Sequence, residues 1–287
     1  MATIENGAPS IALNTGASMP LMGFGTFQIA EHDQCCECVA AAVRAGYRLV
    51  DTAQAYGNEA AVGEGIRQSG IARDELFVTT KLWFRSYEEK DARAQMEASL
   101  ERMGLDYFDL ALLHWPFGNY YAAWRVLESM HEEGLLRAVG ASNFTPAQLI
   151  DLVEFNRVIP AVNQIETHLY SQQRELHGIM SEMGIAHQAY APLGQGRANQ
   201  MFSEAVVTRI AEKRGKTPQQ VALRFLMQSG ISVIPRTTSS EHLAENIDVF
   251  DFELSSEEMA SLASMDKDAP IIGTPANPDT VRQAMTW

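Results

Sequence analysis

Eight short runs rich in Val, Ile, Leu and Phe recur along the chain, each followed by a stretch whose apolar residues return at helical spacing. This alternation marks βα units and restricts the fold to a largely parallel sheet with helices packed against it. The predicted strands are Leu21–Phe24, Arg48–Val50, Leu76–Thr80, Phe108–Leu113, Ala138–Val139, Ala161–Gln164, Ile185–Gln188 and Ser232–Ile234. Helices are expected at Asp33–Ala45, Asn58–Gln68, Glu89–Met103, Tyr121–Glu132, Pro146–Phe155 and Arg174–Glu182. Two more, near Ser203–Arg214 and Pro218–Gln228, give the connection before the eighth strand an extra element. A polar residue just ahead of proline, in Asn143 to Pro146 and in Thr217-Pro218, marks two helix starts. The pattern permits a closed barrel or an open doubly wound sheet. A length of 287 residues suits one barrel of about 250 residues with modest insertions, so a single domain over 1–287 is expected.

Charge narrows the partners. With 22 Lys and Arg against 36 Asp and Glu, the formal net charge of −14 opposes a nucleic-acid backbone or an anionic membrane as a standing partner. No apolar run reaches the roughly 18 to 20 residues of a membrane span, and the N-terminus lacks a basic start and an apolar core. A cytoplasmic protein acting as a monomer on a small molecule is expected. Cys35, Cys36 and Cys38 fall within one predicted helix without further ligands of similar type nearby, so they are read as reduced thiols and no metal site is expected.

Polar or ionisable residues stand at the ends of seven predicted strands: Asp51, Lys81, His114, Asn143, Gln164, Tyr190 and Arg236. Barrel enzymes place their chemistry there. Any one of them alone has an ordinary explanation as a cap, a solvated charge or a structural histidine. Together, Asp51, Tyr56, Lys81 and His114 suit the reduction of a carbonyl by a nicotinamide, which needs a proton for the developing alkoxide. A tyrosine near its reference pKa of about 10 is a poor donor at neutral pH. An adjacent Lys81 ammonium, held by Asp51, would lower that value, and His114 would orient the carbonyl.

Here the sequence resembles the aldo-keto reductases over essentially its whole length. VDTAQAYGNE carries the family's Asp and Tyr, TTKLW its Lys and LALLHWP its His, so the resemblance implies the catalytic tetrad Asp51, Tyr56, Lys81 and His114. It implies the (β/α)8 TIM barrel rather than the open sheet, and a compact bacterial-type member similar to the 2,5-diketogluconate reductases. GFGTF, GASNF, VNQIETH and AYAPLGQG resemble segments that hold the cofactor, here through Gly25, Thr26, Asp51, Ser142, Asn143, Gln164 and Tyr190. Leu193, Gly194 and Gly196 would form the loop crossing the pyrophosphate. A dinucleotide fingerprint is absent, because Gly23-Phe24-Gly25, Gly63-Glu64-Gly65 and Gly194-Gln195-Gly196 all lack the third glycine.

The segment VIPRTTSSEHLAENIDVFDF resembles the family's adenosine phosphate region, which would supply Arg236, Thr237, Thr238, His242, Glu245 and Asn246. The family commonly reads Lys-Ser at the strand end, with Arg six residues after the Lys. Arg236 and Thr237 keep a cation and a hydroxyl, whereas His242 gives up a guanidinium. NADPH is the expected cofactor, with NADH admitted by His242. Phe27, Trp83 and Trp115, with Tyr56 and His114, would form an aromatic substrate mouth for aldehydes, ketones, diketones or keto sugars. A tail at about 270–287 would fold over it as a substrate loop, and the short connection Phe117–Tyr120 would leave it open. Two other functions remain in view. A nucleotide-binding regulatory or structural module would tolerate loss of Tyr56 or Lys81, and reduction of a carbon–carbon double bond goes in this family with an acidic residue in place of His114.

Overall fold

A computed structural model of the chain describes residues 3–5 and 8–286; the expected single domain's residues 1, 2, 6, 7 and 287 lie outside the described residues. Three antiparallel strands come first, β1 (Thr3–Glu5), β2 (Ala8–Ala12) and β3 (Ser18–Pro20). Eight parallel strands follow, hydrogen-bonded in sequence order: β4 (Phe24–Gly25), β5 (Leu49–Asp51), β6 (Phe77–Leu82), β7 (Leu110–Leu113), β8 (Val139–Ser142), β9 (Val162–Glu166), β10 (Ala186–Tyr190) and β11 (Ser232–Val233). The sheet closes on itself. Val233 N–H donates to Leu21 O and Val233 O accepts from Gly23 N–H, both at 2.8 Å, beside a parallel bridge between Met22 and Val233. The fold is the (β/α)8 barrel.

The helices are α1 (His32–Arg44), α2 (Glu59–Ser69), α3 (Glu89–Met103), α4 (Tyr120–Glu132), α5 (Pro146–Glu154), α6 (Arg174–Glu182), α7 (Ala205–Arg214), α8 (Pro218–Gln228), α9 (Ser240–Ile247), α10 (Ser256–Ala263) and α11 (Pro278–Ala284). The extra element before the last strand is therefore α7. Helix α5 is capped by Thr145, whose side chain forms a capping box with Gln148. The helix starts at Pro146 as expected, and within the polar stretch ahead of it the cap is Thr145, Asn143 standing outside the helix with φ 65°. Thr217 caps α8 in the same way with Gln220. Such caps each contribute about 1 kcal/mol. Helix α11 lies inside the tail expected to be a loop, started by Asn277, whose side chain accepts from Asp279 N–H.

Strand pleat sorts the core into two layers. Val50, Val78, Ala111, Leu113 and Val139 face outward into the large cluster shared with the helices. Leu49, Phe77, Leu110, Leu112 and Val162 face inward, joined from below by Leu13, which follows β2, and by Met19 of β3. That hairpin, absent from the sequence-based expectation, plugs the floor. Two residues up from Leu49 the inward position is Asp51, and four up from Phe77 it is Lys81. The upper half of the lumen is polar because the inward register runs on past the apolar floor.

One of the sequence's glycine pairs, Gly63 and Gly65, is explained by packing. A Cβ on Gly63 would sit 2.2 Å from Met103 O at the end of α3, and one on Gly65 would sit 2.6 Å from Cys36 O in α1. Both glycines let α2 lie against neighbouring backbone. Cys35 and Cys36 are buried on α1 and all three cysteines are free thiols. Gly63→Ala is expected to cost about 1 to 3 kcal/mol by urea denaturation, because the backbone it meets cannot yield. Gly178→Ala in α6, where a Cβ meets nothing within 4 Å, is expected to gain up to about 1 kcal/mol in the same measurement.

Candidate active site

At the carboxyl ends of β5 and β6 the lumen closes over an ion pair. Lys81 is wholly buried, and its Nζ donates to Asp51 Oδ1 at 2.5 Å, to Thr52 O at 3.0 Å and to the Tyr56 hydroxyl at 3.2 Å. Those three bonds use all three ammonium hydrogens. Asp51 Oδ2 accepts from Gln164 Nε2 at 2.8 Å, and the same amide donates to Gln188 Oε1 at 2.7 Å. Tyr56 reaches the pair from a short 3-10 turn, Gln54–Tyr56, that follows β5. His114 follows β7; its ring meets Tyr56 edge-on with centroids 5.7 Å apart and meets Trp83 at 5.1 Å.

Burial sets the protonation states. It pushes Asp51 up and Lys81 down from their ordinary values, while the short contact between them opposes both shifts. Burial, then the nearby Lys81 charge, holds His114 well below 6.5 and so neutral. Burial, reinforced by the Asp51 charge, holds Tyr56 well above its usual 10.0. Burial and the Asp51 charge thus act on Tyr56 in the direction opposite to the lowering expected from Lys81. The phenol is kept as an O–H.

A cavity of about 770 Å³ opens above this group. Of the expected residues, Gly25, Phe27, Asp51, Tyr56, Trp83, His114, Trp115, Ser142, Asn143, Gln164, Tyr190, Leu193, Gly196 and Arg236 line it. Asn143 takes a left-handed conformation that asparagine tolerates, and donates to His114 O at 3.0 Å while accepting from the Tyr190 hydroxyl at 2.7 Å. Ala191 and Gln195 also lie at positive φ, 49° and 48°, so backbone strain gathers around the mouth. At the rim the Arg236 guanidinium donates only to neutral oxygens, among them Phe27 O at 2.9 Å and Gln28 O at 3.3 Å. Its charge is unpaired by any carboxylate among the described residues.

Other expected residues do not line this cavity. Lys81 lies behind Tyr56. Thr26 is buried, its hydroxyl donating to Asp51 O at 3.0 Å. Gly194 is turned away, at φ 71°, with a Cβ position 2.8 Å from Ala198. The Thr237 hydroxyl accepts from Ser239 N–H at 3.0 Å, and Asn246 is buried on α9. Thr238, His242 and Glu245 stand outside the lining, the last two on α9. Sequence reasoning missed Gln28, Ala55, Ala191, Pro192, Gln195, Ile234, Pro235 and Ile272, all of them lining the cavity. Only Gln195, set between two glycines, carried a readable local signal.

The structure places a polar upper lumen, a neutral imidazole and a protonated phenol at the base of one cavity, and comparison with known proteins agrees. The model of the "Aldo/keto reductase family" matches residues 21–267. The glyoxal reductase of Bacillus subtilis is 42% identical over 260 residues, covering 90% of this chain and 93% of the relative. The morphine 6-dehydrogenase of Pseudomonas putida is 42% identical over 286 residues, covering 95% and 96%. A crystal structure of a Bombyx mori aldo-keto reductase in complex with NADP superposes with a TM-score of 0.87 at 33% identity, covering 91% of this chain and 94% of that one. The chain belongs to the aldo/keto reductase family, oxidoreductases that act on carbonyl compounds.

Proposed function

We propose that this protein reduces aldehydes and ketones to alcohols with NADPH, using Tyr56 as the proton donor. The observation that carries the reading is the Lys81 ammonium 3.2 Å from the Tyr56 hydroxyl at the base of the cavity, with the His114 ring beside it. A nicotinamide nucleotide fits the donor set. Both hydrogens of Gln164 Nε2 are committed to Asp51 and Gln188, which leaves its carbonyl oxygen as an acceptor for a carboxamide N–H. Ser142 and Asn143 stand beside it, the Tyr190 ring offers a stacking face, and Gly196 has nothing within 4 Å of its Cβ position, so backbone there admits close approach. The unpaired guanidinium of Arg236 suits a phosphate at the rim. The cofactor supplies a hydride when bound.

The chain's own residues supply the proton and the geometry. An Nε2–H tautomer of neutral His114, with the partnerless Nδ1 as its bare nitrogen, donates to the substrate oxygen and orients it. The Tyr56 O–H gives its proton to the oxygen as charge develops there. Lys81 faces the phenolate that remains and stabilises it, which is where an ammonium held in a dry site has its largest effect. Asp51 keeps Lys81 aimed at that oxygen. Phe27, Trp83 and Trp115 give the mouth an aromatic wall suited to uncharged carbonyls.

Tyr56→Phe is expected to lower kcat about 100-fold or more while leaving the Kd for NADPH within about twofold, followed by absorbance at 340 nm and by cofactor fluorescence. Retention of near wild-type turnover would remove Tyr56 as the donor. For the nucleotide, Arg236→Ala is expected to raise the KM for NADPH about tenfold or more with little effect on NADH, through loss of a charge-assisted contact to the 2′-phosphate. His242→Arg is expected to move the preference the other way, towards NADPH. Equal responses to both cofactors would take Arg236 off the phosphate.

A further inference from the structure

Beyond the proton-donating group, one buried carboxylate in the upper lumen is left without a task. Glu166 ends β9 at 3% exposure, two residues after Gln164, so both side chains leave the strand on the same face. Its Oε1 accepts from the backbone N–H of Ile271 and lies 3.0 Å from His168 Nε2, and its Oε2 accepts from Ile272 N–H at 2.9 Å. Two consecutive amides of the C-terminal tail are therefore received by one ionisable group of the barrel, across 105 residues of sequence. Charge-assisted bonds of this type are roughly twice as strong as neutral ones.

The pinned segment is a wall. On one side Ile272 lines the main cavity; on the other, Gly273 and Thr274 line a second cavity of about 440 Å³. Asn143 and Tyr190 border both, so the two cavities adjoin, and the tail contributes lining to each, Ile272 to the first and Pro270 with Gly273 to Ala276 to the second. Beyond the pin the tail turns at Gly273, at φ 107°, where a Cβ would come within 2.7 Å of Thr280 Oγ1. Farther on, Arg85 donates to Met285 O at 2.9 Å, a second tie between tail and barrel. Of the two ties, that at Glu166 is part-buried and that at Arg85 is exposed.

We propose that Glu166 is a positioning residue that pins Ile271–Ile272 as a partition across the recess, and that the pin sets the size of carbonyl substrate admitted. With the pin made, the substrate has the main cavity alone; with it released, the segment swings out and the two cavities join. The size claim rests on the carbonyl-reductase reading of the cavity. The pin itself does not.

The test is Glu166→Gln in the full chain. The carboxamide keeps one acceptor oxygen and turns an NH2 toward a tail amide, so at least one bond is replaced by donor against donor. The kcat/KM ratio of a diaryl ketone over glyoxal is expected to rise about tenfold or more. The Kd for NADPH should stay within about twofold, and amide hydrogen exchange should accelerate across residues 270–286 but not in β5 to β7. A ratio within about twofold of wild type, or a parallel loss on both carbonyls, would overturn the proposal by reducing Glu166 to a structural part. Ile271→Pro provides a second variant should Glu166→Gln not fold: it deletes one pinned N–H and leaves Glu166 intact, whereas Ile271→Val keeps the N–H. The proposal requires the ratio to rise with proline and not with valine, and equal behaviour of the two overturns it. Should the wild-type protein reduce neither carbonyl, the reductase reading fails and the size claim with it. Exchange in residues 270–286 then decides the pin alone, faster exchange in Glu166→Gln upholding it and unchanged exchange overturning it.

Discussion

The contact on which the upper lumen depends is the one between Lys81 and Asp51. A lone ammonium at zero exposure would lose its proton, and a lone carboxylate would gain one. Each is retained in charged form only by the other and by bonds that reach out from the pair: Lys81 to Thr52 and Tyr56, Asp51 to Gln164. Gln164 in turn reaches Gln188, so two adjacent strand pairs, β5 with β6 and β9 with β10, share one polar layer connected across the lumen. Breaking such a pair from one side typically costs about 3 to 5 kcal/mol, because the surviving charge is left buried and uncompensated. The same economy of partners explains why Tyr56 faces an ammonium and yet stays protonated: the positive charge beside it is already committed to Asp51.

Below that layer the barrel is filled with Leu, Phe and Val, and above it lies open space. The division follows from strand pleat, since one inward register carries Leu49 and then Asp51, or Phe77 and later Lys81. Rigid strands thus hold Asp51 and Lys81, with Tyr56 and His114 on the connections directly after β5 and β7, while positive-φ residues such as Asn143 and Ala191 take up the awkward geometry at the strand ends. The aromatic mouth and the tail are carried by loops, where variation leaves the polar layer untouched.

Much of this was legible in the chain itself. All eight barrel strands and the first eight helices were located, because each short apolar run is followed by a stretch of regular helical spacing. Strands β6, β8, β9 and β10 extend past the expected ends, because Lys81, Ser142, Glu166 and Tyr190 read as the polar close of a run although they belong to the strand. The start of α5 at Pro146 was legible from the polar stretch Asn143 to Pro146, within which Thr145 is the residue with geometry to reach Gln148 N–H. The floor hairpin was hidden by short strands of mixed character. Glu166 was illegible as a pin, since its partners are main-chain amides of the tail, and a backbone N–H leaves no mark in the sequence. For α11, the prolines and polar residues that suggested a loop turned out to supply a helix start.

The seam that closes the ring joins the two ends of the fold. Ser232 Oγ donates to Pro20 O at 2.9 Å across 212 residues, and Val233 pairs with Leu21 and Gly23 beside it. During synthesis β4 emerges early and waits, with a bare strand edge and an unsealed apolar floor, until β11 has left the ribosome. Closure of so long a loop is slow by its topology, and the waiting edge is the place where another chain can add. The hairpin at the start of the chain, already packed on Leu49 and its neighbours, covers part of that exposed floor during the interval.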